Sequence, residues 1–117
     1  MKLNNFKLHE FDSPDVKGSG QFMDETFLSM LDEARTLANI PFKINSGFRT
    51  EKHNKKVKGV FGSSHTRGYA ADISCKDANS RFIILNALIS VGFNRIGVYK
   101  TFIHCDIDND KPRNLIW

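Results

Sequence analysis

Two short stretches of strict alternation constrain this chain more than any other feature. Over 69–75 it reads Tyr69-Ala70-Ala71-Asp72-Ile73-Ser74-Cys75, and over 102–107 Phe102-Ile103-His104-Cys105-Asp106-Ile107. A strand sends successive side chains to opposite faces. Tyr69, Ala71, Ile73 and Cys75 therefore share one face, and Ile103, Cys105 and Ile107 share the matching face of the second strand. Those faces suit a core. The opposite faces carry Ala70, Asp72 and Ser74, and Phe102, His104 and Asp106. With both strands in one sheet, Asp72, His104 and Asp106 emerge together on the side away from the core.

The rest of the chain supplies what such a sheet needs. Asp24 is a good N-cap, and Phe27, Met30, Leu31, Ala34, Leu37 and Ala38 follow at helical spacing until Asn39-Ile40-Pro41. Phe42 to Asn45 alternates as a short strand. Ser46 to Arg49 is a turn, Thr50 caps a short helix over 51–57, and 58–67 reads as a loop. A second long helix near 78–91 carries Ile84, Leu85, Leu88 and Ile89 and stops at Gly92. Arg95 to Tyr99 and Phe102 to Ile107 form a hairpin across Lys100-Thr101. Residues 6–17 read as an irregular lead-in. The tail is polar until Leu115-Ile116-Trp117, which folds back onto the surface. The expectation is a single α+β domain over 1–117: a small, mainly antiparallel sheet, helices on one face and a polar site on the other.

Composition removes several classes of function. With 117 residues, there is room for one core. No run reaches the roughly 18 apolar residues of a membrane span. The start turns polar within a few residues, so no signal peptide is expected. Two cysteines are too few for a disulfide scaffold. Cys75 and Cys105 fall on the core faces and are expected as free buried thiols. The net charge is +4, with Lys43, Arg49, Lys52, Lys55, Lys56, Lys58 and Arg67 close together. That stretch reads as a solvated surface or as a patch for an anionic partner. It carries no nucleic-acid-reading motif, so no nucleic acid partner is expected. Neither G-x-S-x-G nor G-x-x-x-x-G-K-[ST] occurs.

His65 lies just before the first strand, with Gly68 allowing the chain to turn. Two histidines and a carboxylate converging on one face fit a zinc site with three protein ligands and an open fourth position. The plainer readings stay open here. Either histidine serves as a hydrogen-bonded structural residue, Asp72 caps a turn or pairs with Arg67, or Asp106 is a solvated edge residue.

The segment Ser63-Ser64-His65-Thr66-Arg67-Gly68-Tyr69-Ala70-Ala71-Asp72 resembles the SxHxxGxAxD motif of zinc D-alanyl-D-alanine carboxypeptidases. Phe102 to Asp106 is similar to the later strand that supplies their third ligand. Asp72 lies seven residues after His65, and His104 a further 32 residues on. Ser46-Gly47-Phe48-Arg49-Thr50 resembles the SGxRT segment. Phe6 to Phe11 resembles the FxLxEF opening of the short phage and bacterial form of the domain. The likeness spans roughly 6–107 and extends to the wider hedgehog/DD-peptidase fold. It implies Zn2+ bound by His65, Asp72 and His104, with Arg49 holding a substrate carboxylate or a developing oxyanion. It implies hydrolysis of peptide bonds in peptidoglycan stem peptides, by a carboxypeptidase or an endolysin-type endopeptidase. A phage setting follows from the same likeness, with the protein made in the cytoplasm and reaching the wall by lysis or in a virion; a monomer is expected.

The sequence departs from that pattern at two places. Many relatives carry a second histidine two residues before the last ligand, where this chain has Phe102. Others carry an acidic base three residues before it, where this chain has Thr101. Asp106 is the nearest carboxylate, serving either as the base or as the group that orients a ligand imidazole. His53 and Tyr99 are weaker alternatives, read more simply as an exposed helix residue and a packed strand residue. The missing base motivates a second expectation, a catalytically silent zinc domain that binds cell wall or a protein partner.

Overall fold

Helix α1 (Glu25–Ala38) starts where the Asp24 side chain accepts a hydrogen bond from the Phe27 amide at 2.9 Å. This satisfies one of the donors that a helix start leaves open. The helix stops at Asn39, left-handed at φ 54°. Thr50 caps α2 (Glu51–Lys56) through the His53 amide. Asp77 caps α3 (Ala78–Ser90) through the Ser80 amide. The structure, a computed structural model, describes residues 2–117.

Five strands form one sheet in the order β1-β2-β4-β3-β5. They are β1 (Ile44–Ser46), β2 (Ala70–Ser74), β3 (Arg95–Val98), β4 (Phe102–Asp106) and β5 (Leu115–Ile116). β1, β2, β4 and β3 pair antiparallel, whereas β5 runs parallel to β3. The returning tail thus makes the expected antiparallel sheet mixed at its edge. The hairpin closes at Tyr99, whose amide donates to the Phe102 carbonyl at 3.0 Å.

Register settles which face does what. Asp72 lies opposite His104, and His104 opposite Gly97. Ser46 lies opposite Asp72. One transverse row on one face therefore carries Ser46, Asp72, His104 and Gly97. The other face presents Ala71, Ile73, Ile96, Ile103 and Cys105, all fully buried with Phe27, Leu28, Leu31, Ile84 and Leu88 from the long helices. Both cysteines are free and buried. Among the described residues, no helix is long and apolar enough to cross a membrane.

Several local expectations shift. The first strand begins two residues later than the alternation from Phe42 implied, and Phe42 packs into the core instead. The lead-in is not irregular throughout: Leu8–Phe11 forms a 3-10 turn, as do Ser19–Phe22 just beyond it and Ser64–Arg67 within the expected loop. Leu37 and Ile89, placed in the helical core stripes, are exposed, while Leu28 is fully buried. The buried face of α1 runs through Phe27, Leu28, Leu31 and Ala34, with Ala38 packed at its end, so Leu37 falls beside that face rather than in it. Tyr69 is half-buried with the Arg67 guanidinium over its ring rather than in the core.

The lead-in matters because it supports the site. Asp12 accepts from the Gly18 amide at 2.9 Å and the Gly20 amide at 2.7 Å. Gly20 sits where a Cβ would lie 2.0 Å from the Leu8 carbonyl oxygen, so only glycine fits the knot. The knot sets Phe11, whose carbonyl accepts from the Phe48 amide at 2.9 Å. Gly47 lies flat on Phe11, where a Cβ would meet its Cα at 2.7 Å.

The two amide bonds hold the Asp12 carboxyl below its ordinary 3.8, against the small opposing effect of burial. A depressed carboxylate contributes stability that is full above 3.8 and lost as pH falls through the lower folded value. Asp12→Ala is therefore expected to unfold at lower denaturant than the parent near pH 7. The gap should close as the pH drops below 3.8, and a gap that is constant with pH would contradict the ionic capping.

Candidate metal centre

Three side chains meet over the polar face. Asp72 comes from β2, His104 from its partner residue on β4, and His65 from the 3-10 turn before β2. That turn is held at both ends. Ser63 accepts from the His65 amide, and Gly68 closes the turn at φ 75°. A Cβ on Gly68 would lie 2.4 Å from the Phe22 carbonyl oxygen. The His65 carbonyl accepts from the Arg49 amide at 3.1 Å.

The imidazoles are oriented from behind. His65 Nδ1 lies 2.8 Å from the Gly47 carbonyl oxygen. A carbonyl only accepts, so Nδ1 carries the hydrogen and Nε2 of the neutral ring is a lone pair. That nitrogen faces Asp72 Oδ1 at 3.3 Å. His104 Nε2 lies 2.7 Å from Asp106 Oδ2, and its Nδ1 faces Asp72 Oδ1 at 2.9 Å. Two inward nitrogens and a carboxylate oxygen thus converge, all within 4.8 Å of one another.

Such a set requires a positive charge at its centre, a proton or a cation. A tetrahedral metal with arms of about 2.1 Å has ligand–ligand edges of about 3.4 Å. The 3.3 Å separation matches that edge, and the 2.9 Å separation, a hydrogen-bond length, is shorter than it. Two imidazole nitrogens and one carboxylate make a donor set that suits zinc, and the residues present fit the ion.

The electrostatics agree. Burial alone would raise the Asp72 carboxyl, but hydrogen bonds and charge from His104 and His65 outweigh it and hold it far below the ordinary value. Burial would lower His104, but Asp106 and Asp72 on its two nitrogens raise it. The pocket therefore favours positive charge between the carboxylates.

Arg49 sits beside this cluster. Its Nε donates to Ser46 Oγ at 3.0 Å, Nη1 to Asn54 Oδ1 at 3.1 Å, and Nη2 lies 3.5 Å from Asp72 Oδ2. Burial lowers its pKa, and the Asp72 charge offsets part of that. Asp106 is 1% exposed. Its Oδ1 accepts from Arg95 Nε and the Asp108 amide, and its Oδ2 faces His104. It touches His104 on the side away from Asp72. His53 lies on α2 with no hydrogen bond to the three donors. The Tyr99 hydroxyl accepts from Trp117 Nε1 at 2.8 Å. Arg67 does not pair with Asp72: it pairs with Asp108 and Asp110.

Sequence reasoning missed four supporting groups. Gly47 acts through its carbonyl, which no side-chain pattern reveals. Asn54 is buried, bonding Arg49 with Oδ1 and the Val60 carbonyl with Nδ2. Asp108 is 1% exposed and takes Ser64 Oγ at 2.6 Å together with Arg67, tying the tail to the His65 turn. Arg95 was legible in principle, since it shares the polar face of β3 with Gly97 and lies across from Asp106.

The family model described as Peptidase M15 matches residues 4–106. No curated protein matches the chain.

The geometry yields a direct expectation for Asp106. Asp106→Ala frees His104 Nε2 and leaves the Arg95 guanidinium with the Pro112 carbonyl but no carboxylate, so zinc affinity should fall by about 10- to 100-fold in a chelator-competition titration. Stability should fall as well, by roughly 3–5 kcal/mol, as when one partner of a buried pair is removed. Unchanged zinc affinity would mean that His104 keeps its orientation without Asp106.

Proposed function

The chain belongs to the Peptidase M15 family, and on that premise we propose that it is a zinc peptidase cleaving peptide bonds of peptidoglycan stem peptides. The observation that carries the reading is the convergence of His65 Nε2, Asp72 Oδ1 and His104 Nδ1. In this reading those three atoms hold zinc. The ion, when bound, supplies a Lewis acid and lowers the pKa of water in its open position to about 7.

The remaining work falls to the chain. Gly47 and Asp106 each hold one imidazole with its lone pair inward. Arg49, fixed by Ser46 and Asn54, presents a planar, always-charged guanidinium next to the metal ligands. There it binds a peptide carboxylate or the oxygen that gains charge as the carbonyl is attacked. We assign Asp106 to orienting His104 rather than to proton transfer. Its oxygens are taken by Arg95, the Asp108 amide and His104, and it is closed to solvent.

A second reading draws on one observation. The positions where relatives carry a base hold Thr101 and Phe102, and Phe102 is stacked on Tyr99 with ring centroids 4.5 Å apart. A domain that kept the metal and lost the proton shuttle would bind wall peptide or a protein partner without cutting it.

One experiment separates the two. Zinc-loaded protein and Asp72→Ala are incubated with purified peptidoglycan and soluble stem peptides, and products are identified by mass spectrometry. The peptidase reading expects alanine or short peptide products that vanish in Asp72→Ala. Intact stems from protein carrying one tightly held zinc would overturn it in favour of the binding domain.

A further inference from the structure

Residues 107–117 lie outside the matched family segment, yet they return to the metal face. β5 pairs with β3, the Trp117 amide donates to the Ile96 carbonyl at 3.0 Å, and the Val98 amide donates to the Trp117 carbonyl at 2.6 Å. The indole lies over Gly97. A Cβ there would be 2.7 Å from Trp117 Nε1 and 2.8 Å from Tyr99 Cε2. Gly97 is the register partner of His104. The indole is therefore on the same face as the metal ligands, its ring centroid 5.7 Å from that of His104.

Its polar edge is already satisfied, since Nε1 donates to the Tyr99 hydroxyl at 2.8 Å. The Arg95 guanidinium lies 5.2 Å from the ring centroid. What the indole still offers is ring surface. Trp117 is 44% exposed and Tyr99 41%. Two large rings, fixed to a strand and half-open beside a candidate reaction centre, form a preorganised apolar wall. A wall without a free indole donor suits an alkyl group better than a hydroxyl-rich ring.

We propose that Trp117, with Tyr99 beside it, is a specificity-determining wall of the substrate groove. It packs against the small alkyl side chain of a peptide residue next to the bond cleaved. This rests on the peptidase reading and names the chemistry of one of its subsites.

Trp117 is the sole tryptophan, so its emission reports on this wall alone. Zinc-loaded protein is titrated with an acetylated lysyl-D-alanyl-D-alanine peptide while emission and turnover are followed. The wall expects a saturable blue shift as the ring loses water. Trp117→Ala, and Gly97→Ala, which pushes both rings off the strand, should each raise KM about 10-fold with little change in kcat. Trp117→Phe should recover most of that loss.

The outcomes are distinct. A saturable shift without turnover removes the peptidase reading and keeps the rings only as a peptide-binding wall. Turnover with unshifted emission and unchanged KM in both variants overturns the wall and keeps the peptidase. Variants that lose zinc affinity and kcat at unchanged KM also overturn it, leaving the indole as support for His104. Neither shift nor turnover overturns both. The titration of the parent protein needs no variant to fold.

Discussion

The pairing of β2 with β4, in the register that sets Asp72 against His104, is the constraint on which the rest of the site depends. Side chains on a strand alternate with a period of two, so a slip by one residue would exchange the faces. It would bury Asp72 and His104 against the helices and expose Ile73, Ile103 and Cys105. Those three are fully or almost fully buried against α1 and α3, which makes the slip costly at every position at once. The core thus specifies the site. The same register extends to Ser46 on one side and Gly97 on the other, so the anchor of Arg49 and the seat of Trp117 lie on one row with two of the candidate metal donors.

The third candidate donor is held by different means. His65 stands on a turn, and turns lack a ladder to fix them. The chain compensates with contacts of long sequence separation: Gly47 on the ring, Arg49 on the carbonyl, and Asp108 on the neighbouring Ser64 hydroxyl. Burial would raise the Asp108 carboxyl, but the bonds from Ser64, the Asp110 amide and Arg67 win and hold it ionised. The amino-terminal knot reaches the same place through Phe11 and Gly47. Both ends of the chain therefore converge on one histidine, which explains why so much irregular backbone is ordered around a small sheet.

Much of this was legible in the residues because it follows from periodicity. Alternation over 69–75 and 102–107 placed Asp72 and His104 on one face and the cysteines on the other, and Asp24, Thr50 and Gly92 marked helix boundaries where they occur. His65 was read into the site from its place just before the first strand, and the resemblance strengthened that expectation, since no period links a turn residue to a strand. What stayed illegible depends on tertiary packing. The Gly47 carbonyl, the Asn54 amide and the return of Trp117 over Gly97 arise from contacts between distant segments, and no local pattern encodes them. Leu37 and Ile89 fit a helical stripe by spacing, yet spacing does not reveal how far round each helix the core contact reaches: Leu37 and Ile89 are exposed while their neighbours Ala38 and Leu88 pack inward. Asp106 was correctly placed on the polar face, but only the Arg95 and His104 bonds show that it is enclosed.

The most direct test of this account is the anomalous scattering of zinc in a crystal of the protein loaded with one equivalent. The account predicts a single strong peak about 2.0–2.2 Å from His65 Nε2, an Asp72 carboxylate oxygen and His104 Nδ1, with Asp106 still bonded to His104 Nε2. A peak elsewhere, or at this place with His104 turned so that Nε2 faces the metal, would contradict the arrangement from which the whole functional reading is built.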